Sequence, residues 1–465
     1  MELSIGFIND VHGYLEPHPE LFYNEDGEYI KTAGGYAKIA SVFGKIRSEN
    51  KHTLFFDGGD TFHGTLPVVA SKGEVLIPVL NQLGLSAMVG HWDFAYSPEH
   101  LLSLAAQLQY PVLGINVYRE DGSLLLKPYS IVEVGVHKVA VIGICANIID
   151  KTMTKPFKQG IHVTDGLQEI TRYVKEVRDL GASLVILLSH NGFPQDIELL
   201  KQTSGIDVCL SAHTHNRIYE PVRVNDTVVI QCGCHGSFVG HLKLSVDGGR
   251  VVSHDYELIE VSGDITGDKQ VEAVINTAMS SYRNLQSQVV GHTDTILHRY
   301  STFSSSMDDL LLAAVKAVSG AEIAFSNGWR YGVPIDRGDI TLWDLYNIVP
   351  MNPIISVADL TGREIIDMME ENFERTFSAN PMKQMGGYCK RWAGLQIKFH
   401  IENPYGYRIE EIYFKDEHLQ KDQIYHTAYI TEQGIPDKYG SNRKDLEVTT
   451  VQALVSYLKE RHRPS

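Results

Sequence analysis

From residue 1 to about 260, short runs rich in Val, Ile, Leu and Phe alternate with amphipathic stretches, the pattern of βα units. The apolar runs predict strands over Leu3 to Ile8, Thr53 to Phe56, Ser86 to Val89, Val112 to Asn116, Lys138 to Cys145, Leu184 to Leu188, Val208 to Ser211 and Val228 to Cys232. Ile39, Val42, Phe43 and Ile46 recur at helical spacing and predict a helix over Gly35 to Arg47; Pro98 to Leu108 and Leu167 to Leu180 read the same way. The implied core is a sheet covered by helices. A polar, turn-rich stretch, Ser262-Gly263-Asp264-Ile265-Thr266-Gly267-Asp268, then precedes a helical run from Lys269 to Gln288. Beyond it come further helices (Ser306 to Val318, Arg363 to Arg375) and strands (Leu395 to Ile401, Ile412 to Phe414), enough for a second core. The expected organisation is a first domain over 1–261, a linker with a connecting helix over 262–289, and a second domain over 290–465.

Composition narrows the class. The chain has 465 residues, 43% hydrophobic and 21% charged, ordinary for a protein that buries large cores. Its 41 basic against 57 acidic residues give a net charge of −16, the wrong sign for tracking a nucleic acid polymer. Five scattered cysteines do not describe a disulfide framework. The N-terminus has no basic, apolar leader pattern, and the longest apolar runs fall well short of the roughly 18 residues that span a bilayer. No membrane partner and a cytoplasmic location are expected.

The 20 histidines change the picture, because many follow apolar runs, where side chains leave a core and meet a cleft. In order these are Asp10-Val11-His12, Gly58-Gly59-Asp60, Gly90-His91-Trp92-Asp93, Ser189-His190-Asn191-Gly192 and His213-Thr214-His215. In an open α/β sheet the carboxyl ends of strands share one crevice, so these pieces are expected to converge. Five imidazoles and two carboxylates offer mixed N and O donors, suited to two ions of Mn²⁺, Fe²⁺, Co²⁺ or Zn²⁺ with an aspartate between them. Cys232-Gly233-Cys234 lacks a second cysteine pair and reads as small buried hydrophobes.

The order Asp-x-His, Gly-Asp, a glycine turn, His and His-x-His resembles the calcineurin-like metallophosphoesterases, and the large second domain looks like their 5′-nucleotidase family. The resemblance implies an N-terminal β-sandwich layered with helices (αββα) and a C-terminal α/β substrate domain. It also implies that Asp10, His12, Asp60 and His215 hold one metal, and that Asp60, His91, His190 and His213 hold the other, manganese first among the candidates. Asp60 would bridge. The family's Gly-Asn-His-Glu-Phe-Asp stands here as Gly90-His91-Trp92-Asp93-Phe94-Ala95. The ligand asparagine is thus His91, whose ring nitrogen can still donate, while the histidine that assists the transition state is Trp92, whose indole cannot act as an acid near neutral pH.

A Gly-His-Trp-acidic turn is similar to the thiosulfohydrolase (SoxB-type) branch of the same family, which cleaves a sulfur-linked sulfonate with two manganese ions. Gly328-Trp329-Arg330-Tyr331-Gly332, Gly386 to Gly394 and the His190-Asn191-Gly192 segment resemble that branch's segments. Two divalent ions less two carboxylates leave a site charge of roughly +2, so a small anionic substrate is expected, with water activated as the nucleophile. Arg330 and Arg391 are candidates to clamp it and Asn191 to contact it; Tyr388 and Tyr439 are candidates to bind the rest of a nucleotide. His63 and His235 are candidates for protonating the leaving group. The reading is a dinuclear-metal phosphoester hydrolase with nucleotides as default substrates; the alternatives are hydrolysis of a sulfur oxyanion and a noncatalytic metal or nucleotide binder.

Overall fold

The structure, a computed structural model, describes residues 1–461. The chain divides into two units, one made of Met1–Glu20 with Lys31–Ser280, the other of Leu21–Ile30 with Ser281 onward. One crossing, at Ser280, lies within residues 262–289, whereas Leu21–Ile30, inside the expected first domain, groups with the second unit. Helix Lys269–Met279 packs on helices Tyr36–Glu49 and Ile77–Leu83 and so belongs to the first unit. The expected helix to Gln288 breaks after Met279 into a short turn and a separate segment, Arg283–Ser287.

The first unit is built on two sheets. In one, strand Glu2–Ile8 runs parallel to Thr53–Asp57, which runs parallel to Ala87–Met88, and Phe238–Asp247 and Arg250–Glu260 extend it antiparallel on the other side. In the other, His137–Ile144, Ala182–Ser189, Val208–Ser211 and Thr227–Ile230 are mutually parallel, flanked by Tyr129–Val134 and Val222–Val224. The parallel strands are buried almost throughout, which is why they read as continuous apolar runs rather than alternating ones. Helix Tyr36–Glu49 covers the first sheet with Ile39, Val42, Phe43 and Ile46, and helix Leu167–Asp179 covers the second with Ile170, Tyr173, Val174 and Val177. Full burial of each such side chain contributes roughly 1.5–3 kcal/mol. This is the layered α/β architecture expected.

The predicted strand Val112 to Asn116 does not form. Its residues are buried, but the N–H groups of Leu113, Gly114 and Ile115 go to three different segments, at Met88, Lys127 and Gly143, so no ladder develops. The hairpin of His18–Asn24 and Gly27–Ala33 was not expected, because its second strand is mostly exposed and polar.

In the second unit the sheet runs Arg391–Ala393, Ile323–Ser326, Ile424–Ile430, Ile354–Thr361, Ser441–Thr449. Helix Gly362–Phe377 packs Ile365, Met368, Met369 and Phe373 into a core with Phe325, Leu360 and Ile435. A reciprocal cap starts it, with Thr361 Oγ1 accepting from the Glu364 N–H while Glu364 accepts from the Thr361 N–H.

Candidate metal centre

Every residue of the expected ligand set lies just beyond the carboxyl end of a parallel strand of the first unit. Asp10 and His12 follow Glu2–Ile8, Asp60 follows Thr53–Asp57, His91 follows Ala87–Met88, His190 follows Ala182–Ser189, and His213 and His215 follow Val208–Ser211. Two groups result, Asp10, His12, Asp60, His215 and Asp60, His91, His190, His213; within each the donor atoms lie within 4.8 Å of one another. Asp60 belongs to both. Its Oδ1 is 3.3 Å from His91 Nδ1, and its Oδ2 is 3.4 Å from His190 Nε2 and 3.7 Å from His12 Nε2. Asp10 Oδ1 lies 3.3 Å from His215 Nε2.

The backbone holds these donors against local strain. Asp10, His12, Asp60, His213 and His215 all have φ between 51° and 74°, the left-handed region, at a cost on the order of 1–3 kcal/mol each. Main-chain bonds compensate: Asp10 N–H to Gly59 O, His12 N–H to Asp60 O, His235 N–H to Asp10 O. Gly59 allows the turn into Asp60, since at φ 87° an added Cβ would stand 2.6 Å from Val89 O. Asn9 Nδ2 and the His213 N–H donate to Asp10 Oδ2 at 2.6 and 2.9 Å.

Asp93 makes the densest set of such bonds. Its Oδ1 accepts the N–H groups of Thr61 and Phe62, and its Oδ2 those of Asp60 and His91, all at 2.9–3.1 Å. The sequence showed Asp93 as part of a motif but not this role, because its partners are main-chain groups. Glu20 is a second residue that sequence reading missed. Fully buried, it accepts from Arg217 and Ser237 and lies 3.4 Å from His235 Nδ1. Cys232 and Cys234 are buried, as expected, although Cys234 also lies beside Glu20 and His235.

The donor set fits divalent ions. Asp10 Oδ1, His91 Nδ1 and His190 Nε2 are buried and, among the described residues, satisfied by no hydrogen bond. His190 Nδ1 is bonded to Gly58 O at 2.5 Å and His12 Nδ1 to His63 O at 3.1 Å, an arrangement that leaves each Nε2 lone pair facing the cluster. Burial opposes ionisation of Asp60, yet His190 and His91 hold its carboxyl well below the usual range; Asp10 is lowered against burial by His215 and His190. Burial lowers His12 to about 3, so it is a neutral donor. Despite burial, Asp60 and Asp10 raise His190 to about 10, a measure of how strongly the two carboxylates attract positive charge.

Burial lowers His63 and His235, the two candidates for protonating a leaving group, to about 4. His63 stacks flat on Trp92, with ring centroids 4.8 Å apart and planes 12° apart. His235 contacts His12 and His215 from behind, at centroid distances of 6.2 and 6.1 Å. Asn191 is buried next to His190, its Oδ1 accepting from the Asn147 N–H and its Nδ2 without a hydrogen bond among the described residues.

In the second unit the two arginine-bearing segments do meet. The Tyr388 N–H donates to Gly328 O, and a Cβ on Gly328 would stand 2.2 Å from Cys389 O, so only glycine fits there. Arg330 and Arg391 both lie against the Tyr388 ring, at 5.7 and 5.3 Å. Arg391 departs from what was expected of it. It is 2% exposed, and its Nε donates to Asp308 Oδ2 at 2.9 Å while its Nη atoms donate to Thr302 O and Ser301 O. Asp308 Oδ1 accepts from the equally buried Arg299, so Arg391 belongs to a structural ion-pair network rather than to an anion clamp. Arg330, half-buried, donates to Gly387 O. Tyr439 donates its hydroxyl to Glu371 at 2.9 Å beside Lys438.

Comparison with known proteins agrees with this architecture. Residues 3–217 match the calcineurin-like phosphoesterase family and residues 289–431 the 5′-nucleotidase C-terminal domain. The chain belongs to this family of hydrolases acting on ester bonds. It is 24% identical over 461 residues to the trifunctional nucleotide phosphoesterase protein YfkN of Bacillus subtilis, covering 88% of this chain but only 30% of that longer protein. Its fold is similar to that of the sulfate thiohydrolase SoxB from Thermus thermophilus, with a TM-score of 0.91 at 23% identity over 100% of this chain and 95% of the other. It is also similar to a 5′-nucleotidase precursor from Thermus thermophilus, with a TM-score of 0.88 at 22% identity over 99% and 97% of the two chains.

Proposed function

We propose that this protein hydrolyses small phosphoesters, nucleotides first among them, at a dinuclear site made by Asp10, His12, Asp60, His91, His190, His213 and His215. The observation that carries the reading is the sharing of Asp60 between two complete ligand sets. Two divalent ions held there would supply Lewis acidity toward a phosphoryl oxygen and acidify a water molecule. The seven residues orient those charges, and Asp93 and Asn9 fix the residues. Asn191 Nδ2, buried and unbonded, is the donor for an oxygen of the substrate anion. Within the second unit, Arg330 and Tyr388, in contact with each other, are proposed as substrate-binding residues. The mixed N and O donors make Mn²⁺ the first ion to test. Five buried cysteines, with no disulfide among the described residues, support a reducing, cytoplasmic setting. Among the described residues no helix is long and apolar enough to cross a membrane.

With Trp92 in place of the histidine that assists the transition state in the family's motif, leaving groups of low pKa should react best. The Gly90-His91-Trp92-Asp93 turn favours a second reading, cleavage of a sulfur-linked sulfonate, whose thiol leaving group also needs little acid assistance. Product release separates the two. Mn²⁺-loaded protein is assayed for phosphate from nucleoside monophosphates and an aryl phosphate, and for sulfate from S-sulfocysteine, with Asp60→Asn as blank. Phosphate release supports the first reading; sulfate alone replaces it with the second.

A further inference from the structure

Trp92 is the partly buried aromatic side chain of the turn over 90–95, and its surroundings give it a ring neighbour besides His63 and His91. Its main-chain N–H donates to Asp60 Oδ1 at 2.7 Å, so the residue is anchored to the shared carboxylate. One face of the indole rests on the fully buried His63 ring, whose Nδ1 lies 3.3 Å from the Tyr96 hydroxyl. The indole itself is only partly buried, and Phe157 meets it edge to face at 6.3 Å and 73°.

Phe157 belongs to a segment tied to the centre at its other end. The Ala146 N–H donates to Gly90 O, and the Asn147 N–H donates to Asn191 Oδ1. The chain then turns through Lys151, whose Nζ donates back to Asn147 O, and Lys158, whose Nζ donates to Asp150 O, and so brings Phe157 to Trp92. One segment therefore joins the unbonded amide of Asn191 to the Trp92–Phe157 pair. Trp92, bonded through its N–H to Asp60 and backed by His63, thus sets an aromatic corner beside the shared carboxylate.

We propose that Trp92 and Phe157 form a leaving-group subsite that selects planar aromatic esters, so that aryl phosphates are preferred over alkyl phosphates. This rests on the phosphoester reading above. In the reaction water adds to phosphorus, the P–O(aryl) bond breaks, and the phenolate leaves with the bonding pair and takes a proton from solvent. A phenolate needs no protein acid.

The test compares kcat/KM for 4-nitrophenyl phosphate and propyl phosphate in the full-length Mn²⁺-loaded protein and in Trp92→Leu, Trp92→Phe and Phe157→Ala. Trp92→Leu is expected to lower the aryl-to-alkyl ratio about tenfold, mainly through KM, with Trp92→Phe restoring much of it and Phe157→Ala lowering it less. An unchanged ratio, with both substrates affected alike, overturns the subsite and leaves Trp92 as packing for His63. Calorimetric binding of phenylphosphonate against methylphosphonate gives a readout without turnover. Tighter aryl binding that disappears in Trp92→Leu supports the subsite even if no phosphoester is hydrolysed and the broader reading fails. Equal binding of the two ligands overturns the subsite.

Discussion

Asp93 Oδ2 accepts the main-chain N–H of Asp60 at 3.0 Å, and that bond ties the turn after one strand to the carboxylate that both ligand groups share. Three more N–H groups complete the clamp, including that of the ligand His91. An amide can accept at only one of the two positions, so Asp93→Asn must release part of the turn. Mn²⁺ affinity is expected to fall about 10- to 100-fold, the usual cost of losing a group that orients a ligand. Calorimetric titration with Mn²⁺ checks it; unchanged affinity would show that the turn holds without the carboxylate.

Trp92 and Ala95 lie three residues apart on one turn, the Ala95 N–H donating to Trp92 O. A histidine at 92 and an aspartate at 95 would therefore sit side by side. Trp92→His with Ala95→Asp is expected to raise turnover of alkyl phosphates more than that of aryl phosphates, because only the poor leaving group lacks its acid. Steady-state rates on propyl phosphate decide it, and unchanged or lower activity would contradict the missing-acid explanation.

Much of this was legible in the sequence because ligands must be a few residue types and because buried parallel strands advertise themselves as apolar runs. Asp10, His12, Asp60, His91, His190, His213 and His215 could be picked out one by one, and their convergence followed from strand-end logic. Arg391 could not be read in the same way. Its partner Asp308 lies 83 positions upstream, and an arginine in a glycine-rich segment looks alike whether it meets a ligand or a buried carboxylate. Glu20 was hidden for a similar reason, with Arg217, His235 and Ser237 about 200 residues away. The neutral states of His63 and His235 depend on burial, which single residues do not reveal.

The two arginines that border Tyr388 should now behave differently. Arg391→Met leaves Asp308 without one of its two buried cations and should cost about 3–5 kcal/mol, enough to lower the melting temperature markedly. Arg330→Ala should leave melting nearly unchanged and raise KM for the anion. Thermal unfolding beside steady-state kinetics checks both, and equal melting of the two variants would contradict the assignment.

Asp196, one of the buried carboxylates outside the ligand set, offers a pH test. Burial raises it to about 7 from a reference of 3.8, although the Ser189 and Ser211 hydroxyls donate to it. The folded protein thus keeps a proton that the unfolded chain gives up, so this group lowers stability as pH rises from about 4 to 7, with no further change above. Asp196→Asn mimics the protonated form and should gain stability relative to the parent across that window. Parallel melting curves for the metal-free proteins from pH 4 to 8 would rule this out.

The sharing of Asp60 is most directly tested by metal stoichiometry. Elemental analysis of dialysed, Mn²⁺-saturated protein is expected to find two ions per chain, falling to one or none in Asp60→Asn together with loss of product release. A single ion in the parent protein, or two ions retained by Asp60→Asn, would contradict a centre bridged by Asp60.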